Sequence, residues 1–245
     1  VIKVGESFLI SVTPFQVVLV HDLIATDRTS DAKALSKVFL PSIAEIAVTS
    51  EGIIDGLGED GSTPYSFVSQ LYPDRVLLFV TDICPLYCRY CFRRRKVIHQ
   101  KPLTKPIEKV LEHDYLEQAV KYIESNTSIR DVILSGGEPL SLNDEQLEKI
   151  VSELRKIKHV DVIRIDTKMP TVIPQRITNE LVNMLRKFHP IFMTLHFVHP
   201  AEIDEEVKIA VNKLVDAGIP LGTYTPILKG INLSLIHISE PTRQA

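Results

Sequence analysis

The sequence predicts an α/β fold: a parallel sheet that curves toward a barrel without closing, preceded by an N-terminal extension. Three observations carry this. From Arg75 onward, short apolar runs rich in Val, Ile, Leu and Phe alternate with amphipathic stretches of helical period. The connections are short, as right-handed β-α-β crossovers require. About five strand-like runs precede Asn232, with a unit length close to that of a (β/α) barrel. Five are too few to close an eight-stranded one.

Arg75–Thr81 (RVLLFVT) reads as a buried strand. Residues 116–125 have apolar positions at helical spacing. Residues 131–135 (DVILS) form the second strand, ended by Gly136 and Gly137. A helix follows over 143–157, with Asn143 or Asp144 as its N-cap and acids in its first turn, where the helix dipole favours them. Residues 162–166 (VIRID) are the third strand and 178–188 the next helix. Residues 191–197 are the fourth strand, 202–217 a helix closed by Gly218, and 219–228 the fifth strand.

Residues 1–70 are less regular and form an N-terminal region. Within it 51–63, with several glycines and acids, reads as a linker or exposed loop. The partial barrel runs over 71–232. The ending 233–245 (LSLIHISEPTRQA) reads differently, resembles translated sequencing-adapter read-through, and is expected to be non-native. With Val1 in place of an initiating Met, the chain is expected to be a truncated fragment.

A length of 245 residues can bury a full core. The net charge of −3 argues against a dedicated nucleic-acid or anionic-membrane binder. No apolar run is long enough to span a bilayer, and the first residues lack a signal-peptide pattern. A reducing, cytoplasmic setting is the expectation.

The run TDICPLYCRYCFRRR holds all three cysteines, Cys84, Cys88 and Cys91, spaced C-x3-C-x2-C. Thiolates prefer soft metals, and this spacing lets three sulfurs converge on one inorganic centre. Three thiolates on a [4Fe-4S] cube leave one iron free for a substrate. A Cys3His zinc site with His99 is the alternative, although its last gap is wider than usual. The odd cysteine count argues against disulfides.

Other chemistry-bearing residues fall at the ends of the strands, where parallel α/β proteins carry their sites. After the second strand comes SGGEPL. Gly136 and Gly137 allow a close backbone approach to a ligand, and Glu138 with nearby carbonyls can accept hydrogen bonds from an ammonium group. Gly-Gly is also an ordinary turn. Arg93, Arg94 and Arg95 follow the last cysteine. They are either a solvated face or a source of a guanidinium for a substrate carboxylate. Arg75 could form a strand-edge salt bridge, for instance with Asp74. Arg164 and Asp166 could reach the site or pair with each other. His196, His199 and Tyr224 end the last two strands, in structural or functional roles.

C-x3-C-x2-C, with SGGEP one βα unit later, resembles the signature of the radical S-adenosylmethionine (SAM) enzymes. The segments YPDRVLLFVT, CRYCFRRR, RDVILSGGEPL, IRIDTKMPTVIPQRIT, LHFVHP and LVDAGIPLG resemble, more narrowly, the lysine 2,3-aminomutase family, from about Thr13 to Asn232. The resemblance implies an incomplete (β/α)6 TIM-like radical SAM barrel, a [4Fe-4S] cluster, SAM and pyridoxal 5′-phosphate (PLP). It implies an isomerase that moves the amino group of lysine from Cα to Cβ, started by a 5′-deoxyadenosyl radical. By this likeness Cys84, Cys88 and Cys91 hold the cluster. Ser135, Gly136, Gly137, Glu138 and His196 meet SAM, Arg93 binds the substrate carboxylate, and Arg75 lies near PLP. A small amino-acid substrate and a reductant such as flavodoxin or ferredoxin are implied, and a homo-oligomer is left open.

Related alternatives are an aminomutase acting on glutamate or on a lysine of elongation factor P. An alternative of another class is a metal-bearing binding module without turnover. The chain also departs from the family. Leu71 stands where an arginine is frequent, Gly222, Thr223 and Tyr224 replace GNQ, and RIDTK replaces RIGTR. The family's PLP lysine and the acids that select a lysine side chain belong to a segment later than Asn232, and Lys229 is not at the matching position.

Overall fold

The computed structural model describes residues 10–46, 55–97, 110–111 and 114–233. Its helices are α1 (Pro14–Ala25), α2 (Thr29–Ser36), α3 (Arg94–Val97), α4 (Tyr115–Ser125), α5 (Asp144–Arg155), α6 (Met169–Val172), α7 (Asn179–Arg186) and α8 (Glu205–Asp216). Its strands are β1 (Val68–Tyr72), β2 (Arg75–Thr81), β3 (Asp131–Gly136), β4 (Val162–Thr167), β5 (Ile191–His196) and β6 (Leu221–Tyr224).

The strands form one six-stranded sheet in the order β1-β2-β3-β4-β5-β6. β1 pairs antiparallel with β2, and every later pairing is parallel. Sequential parallel neighbours joined through helices make an open partial barrel, as the alternation predicts.

Side-chain alternation sorts the sheet into two faces. On β4, Ile163 and Ile165 are fully buried while Arg164 and Asp166 are half-buried. On β5, Ile191, Met193 and Leu195 are buried and Thr194 and His196 are less so. The buried set joins Val132, Leu134, Ala119, Ile123, Leu147, Ile150, Leu181, Leu185 and Leu214 in one apolar core. That core lies between sheet and helices, and each such Leu or Ile contributes roughly 1.5–3 kcal/mol by leaving water. The opposite face mixes charged and apolar side chains and carries the site.

Local signals set the helix starts. Asn143 caps α5 through a capping box, accepting from Gln146 N at 2.8 Å while the Gln146 side chain accepts from Asn143 N. Thr178 and Asp204 cap α7 and α8. The helix expected over 202–217 begins only at Glu205, because Glu202 is drawn into a buried ion pair described below. The strand expected over 219–228 shortens to β6, which pairs with β5 alone and runs into Pro226.

The N-terminal region packs directly on the barrel. Thr13 Oγ1 donates to Val172 O at 2.6 Å, and Gln16 Nε2 donates to Thr171 O. Leu23, Leu35, Val38 and Phe39 belong to the same core as the strands. The boundary expected at residue 70 falls inside β1, so both regions share one core. The expected loop 51–63 is described from Asp55. There Glu59 is only 2% exposed, because it turns inward to an arginine of the site. His99 and residues 234–245 lie outside the described residues. Among the described residues no helix is long and apolar enough to cross a membrane.

Candidate active site

The cysteine loop leaves β2 and is pinned from the N-terminal side. Tyr87 N donates to Ser11 O at 3.0 Å and Arg89 N to Val38 O at 2.7 Å. The Arg89 guanidinium, 7% exposed, holds Glu45 at 2.6 Å. Helix α3 continues the loop and docks through Val97 on Phe79. Cys84, Cys88 and Cys91 all border one cavity of about 150 Å³. Burial pushes all three thiols up, Cys88 to about 11, so they are neutral at pH 7. A cationic centre among them would offset that cost and ionise them. Among the described residues no three Cys, His, Asp or Glu side chains close on a point as ligands of one ion do. Three cysteines of one loop on one cavity are nevertheless the donor type that iron–sulfur clusters use, one thiolate per iron.

The SGGE loop lies against the cysteine loop. Gly136 has φ +107°, and a Cβ there would meet Thr81 O at 2.7 Å. A Cβ on Gly137 would meet Ile83 O at 2.5 Å. Gly137 N donates to Thr81 O at 2.6 Å and Glu138 N to Ile83 O at 2.8 Å. The glycines therefore serve first to bring these two loops together. The Glu138 carboxylate is buried. Its Oε1 accepts from Thr167 Oγ1 at 2.5 Å and Leu140 N at 3.1 Å, and its Oε2 from Lys168 N at 2.7 Å. Burial pushes its carboxyl up and these bonds pull it back. Glu138 thus ties the loop to the end of β4 and, with Ser135, Gly136 and Gly137, lines the cavity.

Lys168, which the sequence reading did not single out, lines the same cavity. Its Nζ lies 2.5 Å from Glu202 Oε1 and 3.2 Å from His196 O. Its place directly after a strand end was the signal available. His196 lines the cavity against Tyr224, with ring centroids 5.3 Å apart. Burial, then Lys168 and Arg93, hold its pKa down to about 4, so the ring is neutral at pH 7. His199 caps the turn Pro200–Glu202 instead, its Nδ1 accepting from Ala201 N at 3.2 Å.

A second, larger chamber of about 300 Å³ adjoins the first. Phe92, Arg93, Ser135, Asp166, His196 and Tyr224 border both. Arg93 donates through Nη2 at 2.7 Å and Nε at 3.0 Å to Glu59 Oε1, and through Nη1 at 3.1 Å to Ser135 Oγ. Arg75, on the larger chamber, pairs with Asp131 Oδ2 at 2.6 Å rather than with Asp74. Arg164 Nη2 reaches the same oxygen at 2.7 Å, so it does not pair with Asp166.

With three thiols on one wall and the SGGE loop clasped to them, the comparison with known sequences is decisive. A sequence model of the Radical SAM superfamily matches residues 78–238. The chain belongs to the radical SAM superfamily. Membership implies a [4Fe-4S] cluster and SAM, and three neutral cysteines of one loop on one cavity wall fit the first. Cys84, Cys88 and Cys91 are the residues that would hold the cluster. Ser135, Gly136, Gly137 and His196 border the space beside it.

The chain is 41% identical to the L-lysine 2,3-aminomutase of Fusobacterium nucleatum over 235 residues, covering 96% of this chain and 52% of that protein. It is 40% identical to that of Clostridium subterminale, covering 96% and 53%. It is 38% identical to the glutamate 2,3-aminomutase of Clostridioides difficile, covering 94% and 51%. The radical SAM chain thus spans about half the length of the curated relatives it matches. PLP fares differently from the cluster. Among the described residues the larger chamber has Arg75 on its wall but no lysine, and Arg75 is already paired. These residues do not by themselves make a PLP site.

Proposed function

We propose that this radical SAM chain is the barrel portion of an amino-acid 2,3-aminomutase, with lysine as the substrate. The observation that carries the reading is the shared wall. Arg93 and Ser135 stand between the thiol-lined cavity and a separate, larger chamber, so a substrate held by its carboxylate lies next to the radical source. The identity to lysine 2,3-aminomutases supports the choice of reaction and substrate.

When bound, the cluster and SAM supply a 5′-deoxyadenosyl radical that removes a hydrogen atom from a substrate carbon. The chain's own residues position and shield. Arg93, oriented by Glu59 and Ser135, keeps guanidinium hydrogens for a carboxylate. Neutral His196 adds no charge to the wall. Leu57, Leu77, Phe92 and Ile133 give the larger chamber an apolar lining that excludes water from a reactive species. PLP is the proposed second cofactor of the whole protein, with its holding residues outside those described. An external one-electron reductant of the flavodoxin or ferredoxin class completes the requirement.

The test is anaerobic reconstitution of the full-length protein with iron, sulfide, SAM, PLP and dithionite, followed by product analysis. Formation of 5′-deoxyadenosine together with β-lysine is the expected result. β-Glutamate from glutamate in place of β-lysine would move the substrate assignment, and absence of SAM cleavage would overturn the reading.

A further inference from the structure

Asp166 occupies the inner row of β4 on the wall between the two chambers. Its Oδ1 is buried and, among the described residues, has no hydrogen-bond partner. Thr194 on β5 bonds the carboxylate. Arg164, two residues back on the same face, gives Nη2 to Asp131, while its buried Nε has no hydrogen-bond partner among the described residues. Arg93 is close enough to be felt electrostatically but directs its fork to Glu59 and Ser135. Burial pushes the Asp166 carboxyl up, and Thr194, Arg164 and Arg93 only pull against that. A buried carboxylate oxygen with no donor is costly, and a ligand donor removes the cost.

The pairing of Ile133 with Arg164 and of Leu134 with Ile165 brings Ser135 beside Asp166 on the neighbouring strand. Ser135 in turn carries Arg93. A guanidinium and an unsatisfied carboxylate therefore stand one strand apart on one wall. A ligand that carries a carboxylate and an ammonium close together can engage both groups, the first on the guanidinium and the second on the carboxylate.

We propose that Asp166 and Arg93 form a clamp for the zwitterionic head of a free amino acid, Arg93 taking the carboxylate and Asp166 the neighbouring ammonium group. The ammonium is on Cα in the entering substrate and on Cβ in the leaving product. This rests on the aminomutase reading for the class of ligand, and assigns the recognition of its head to a residue pair within this chain. SAM carries a similar head and has access to the same wall from the smaller chamber, so the two sources must be separated.

The experiment is calorimetric titration of the anaerobic, cluster-loaded full-length protein, without added PLP, against three probes. They are L-lysine, 6-aminohexanoate (which keeps the carboxylate and the terminal amine but lacks the α-amino group) and SAM. Asp166→Asn is expected to weaken L-lysine on the order of tenfold, as loss of a charged hydrogen bond implies. It should leave 6-aminohexanoate and SAM unchanged. Asp166→Ser serves as a second variant, and thermal melting confirms that each is folded. Unchanged L-lysine affinity overturns the clamp. So does an equal loss for 6-aminohexanoate, which places the terminal amine on Asp166, a loss confined to SAM, or a wild type that does not bind L-lysine. Failure of the aminomutase reading appears separately, as SAM cleavage without a β-amino acid product.

Discussion

Glu59 reaches Arg93 across 34 positions of sequence and grips two of its nitrogens, with Nη2 2.7 Å and Nε 3.0 Å from Oε1. The side chains are 15% and 2% exposed, so water offers little screening. The arginine expected to hold a substrate carboxylate is thus already oriented by a carboxylate of the protein itself, with Nη1 on Ser135 Oγ.

Removing that orienting group should be costly. Glu59→Ala leaves the Arg93 charge buried without its main partner, and a loss of about 3 kcal/mol is expected. Urea denaturation measures it. A midpoint matching the wild type would show that the pair is not needed for the fold.

Cys88→Ala should abolish cluster assembly, because two thiolates cannot hold the cube. Iron and sulfide analysis and visible absorbance after anaerobic reconstitution report on it. Full iron–sulfur absorbance in the variant would contradict the ligand assignment.

Gly137→Ala tests the clasp between the cysteine and SGGE loops. The new Cβ would lie 2.5 Å from Ile83 O and 2.9 Å from Ile83 N, and backbone on that side cannot yield cheaply. A loss of about 1–3 kcal/mol is expected, with lower iron content, since the parted loops carry the ligands. Wild-type stability and iron loading together would refute the close approach.

His196 predicts a pH dependence. Its folded pKa of about 4 lies below its ordinary value of 6.5. Between these values the unfolded chain takes up a proton that the folded one resists. The folded state is therefore favoured fully above pH 6.5 and loses stability as pH falls toward 4, by up to about 1.4 kcal/mol per pH unit. Glu138 and Asp166, with carboxyls pushed up by burial, act in the opposite sense. The readout is accordingly the difference between wild type and His196→Gln. That difference should narrow as pH drops from 6.5 to 4; a constant difference would mean that the ring titrates normally.

Much of the fold was legible because its causes are local. β2 runs from Arg75 to Thr81 as read from the apolar run RVLLFVT. Asn143 caps α5 because a side chain that accepts from the third following amide needs nothing distant. The cysteine motif was legible for the same reason, since three cysteines within eight positions of one loop border one cavity.

Partner choice was not legible. Arg75 and Arg164 both settle on Asp131, although Asp74 and Asp166 are nearer in sequence, because strand register sets which inner-face side chains meet. Glu59 looked like part of an exposed acidic loop, and Glu202 like the start of a helix. Each is buried because a cation, Arg93 or Lys168, awaits it on another element.

The sequence by itself therefore determined the strand and helix pattern, the sulfur loop and the end of the barrel that carries the chemistry, all through periodicity and short-range spacing. Only the tertiary structure decided which charges are neutralised and which polar atoms, as at Asp166 Oδ1, are buried without a partner among the described residues. That outcome depends on distances between segments that no local pattern encodes.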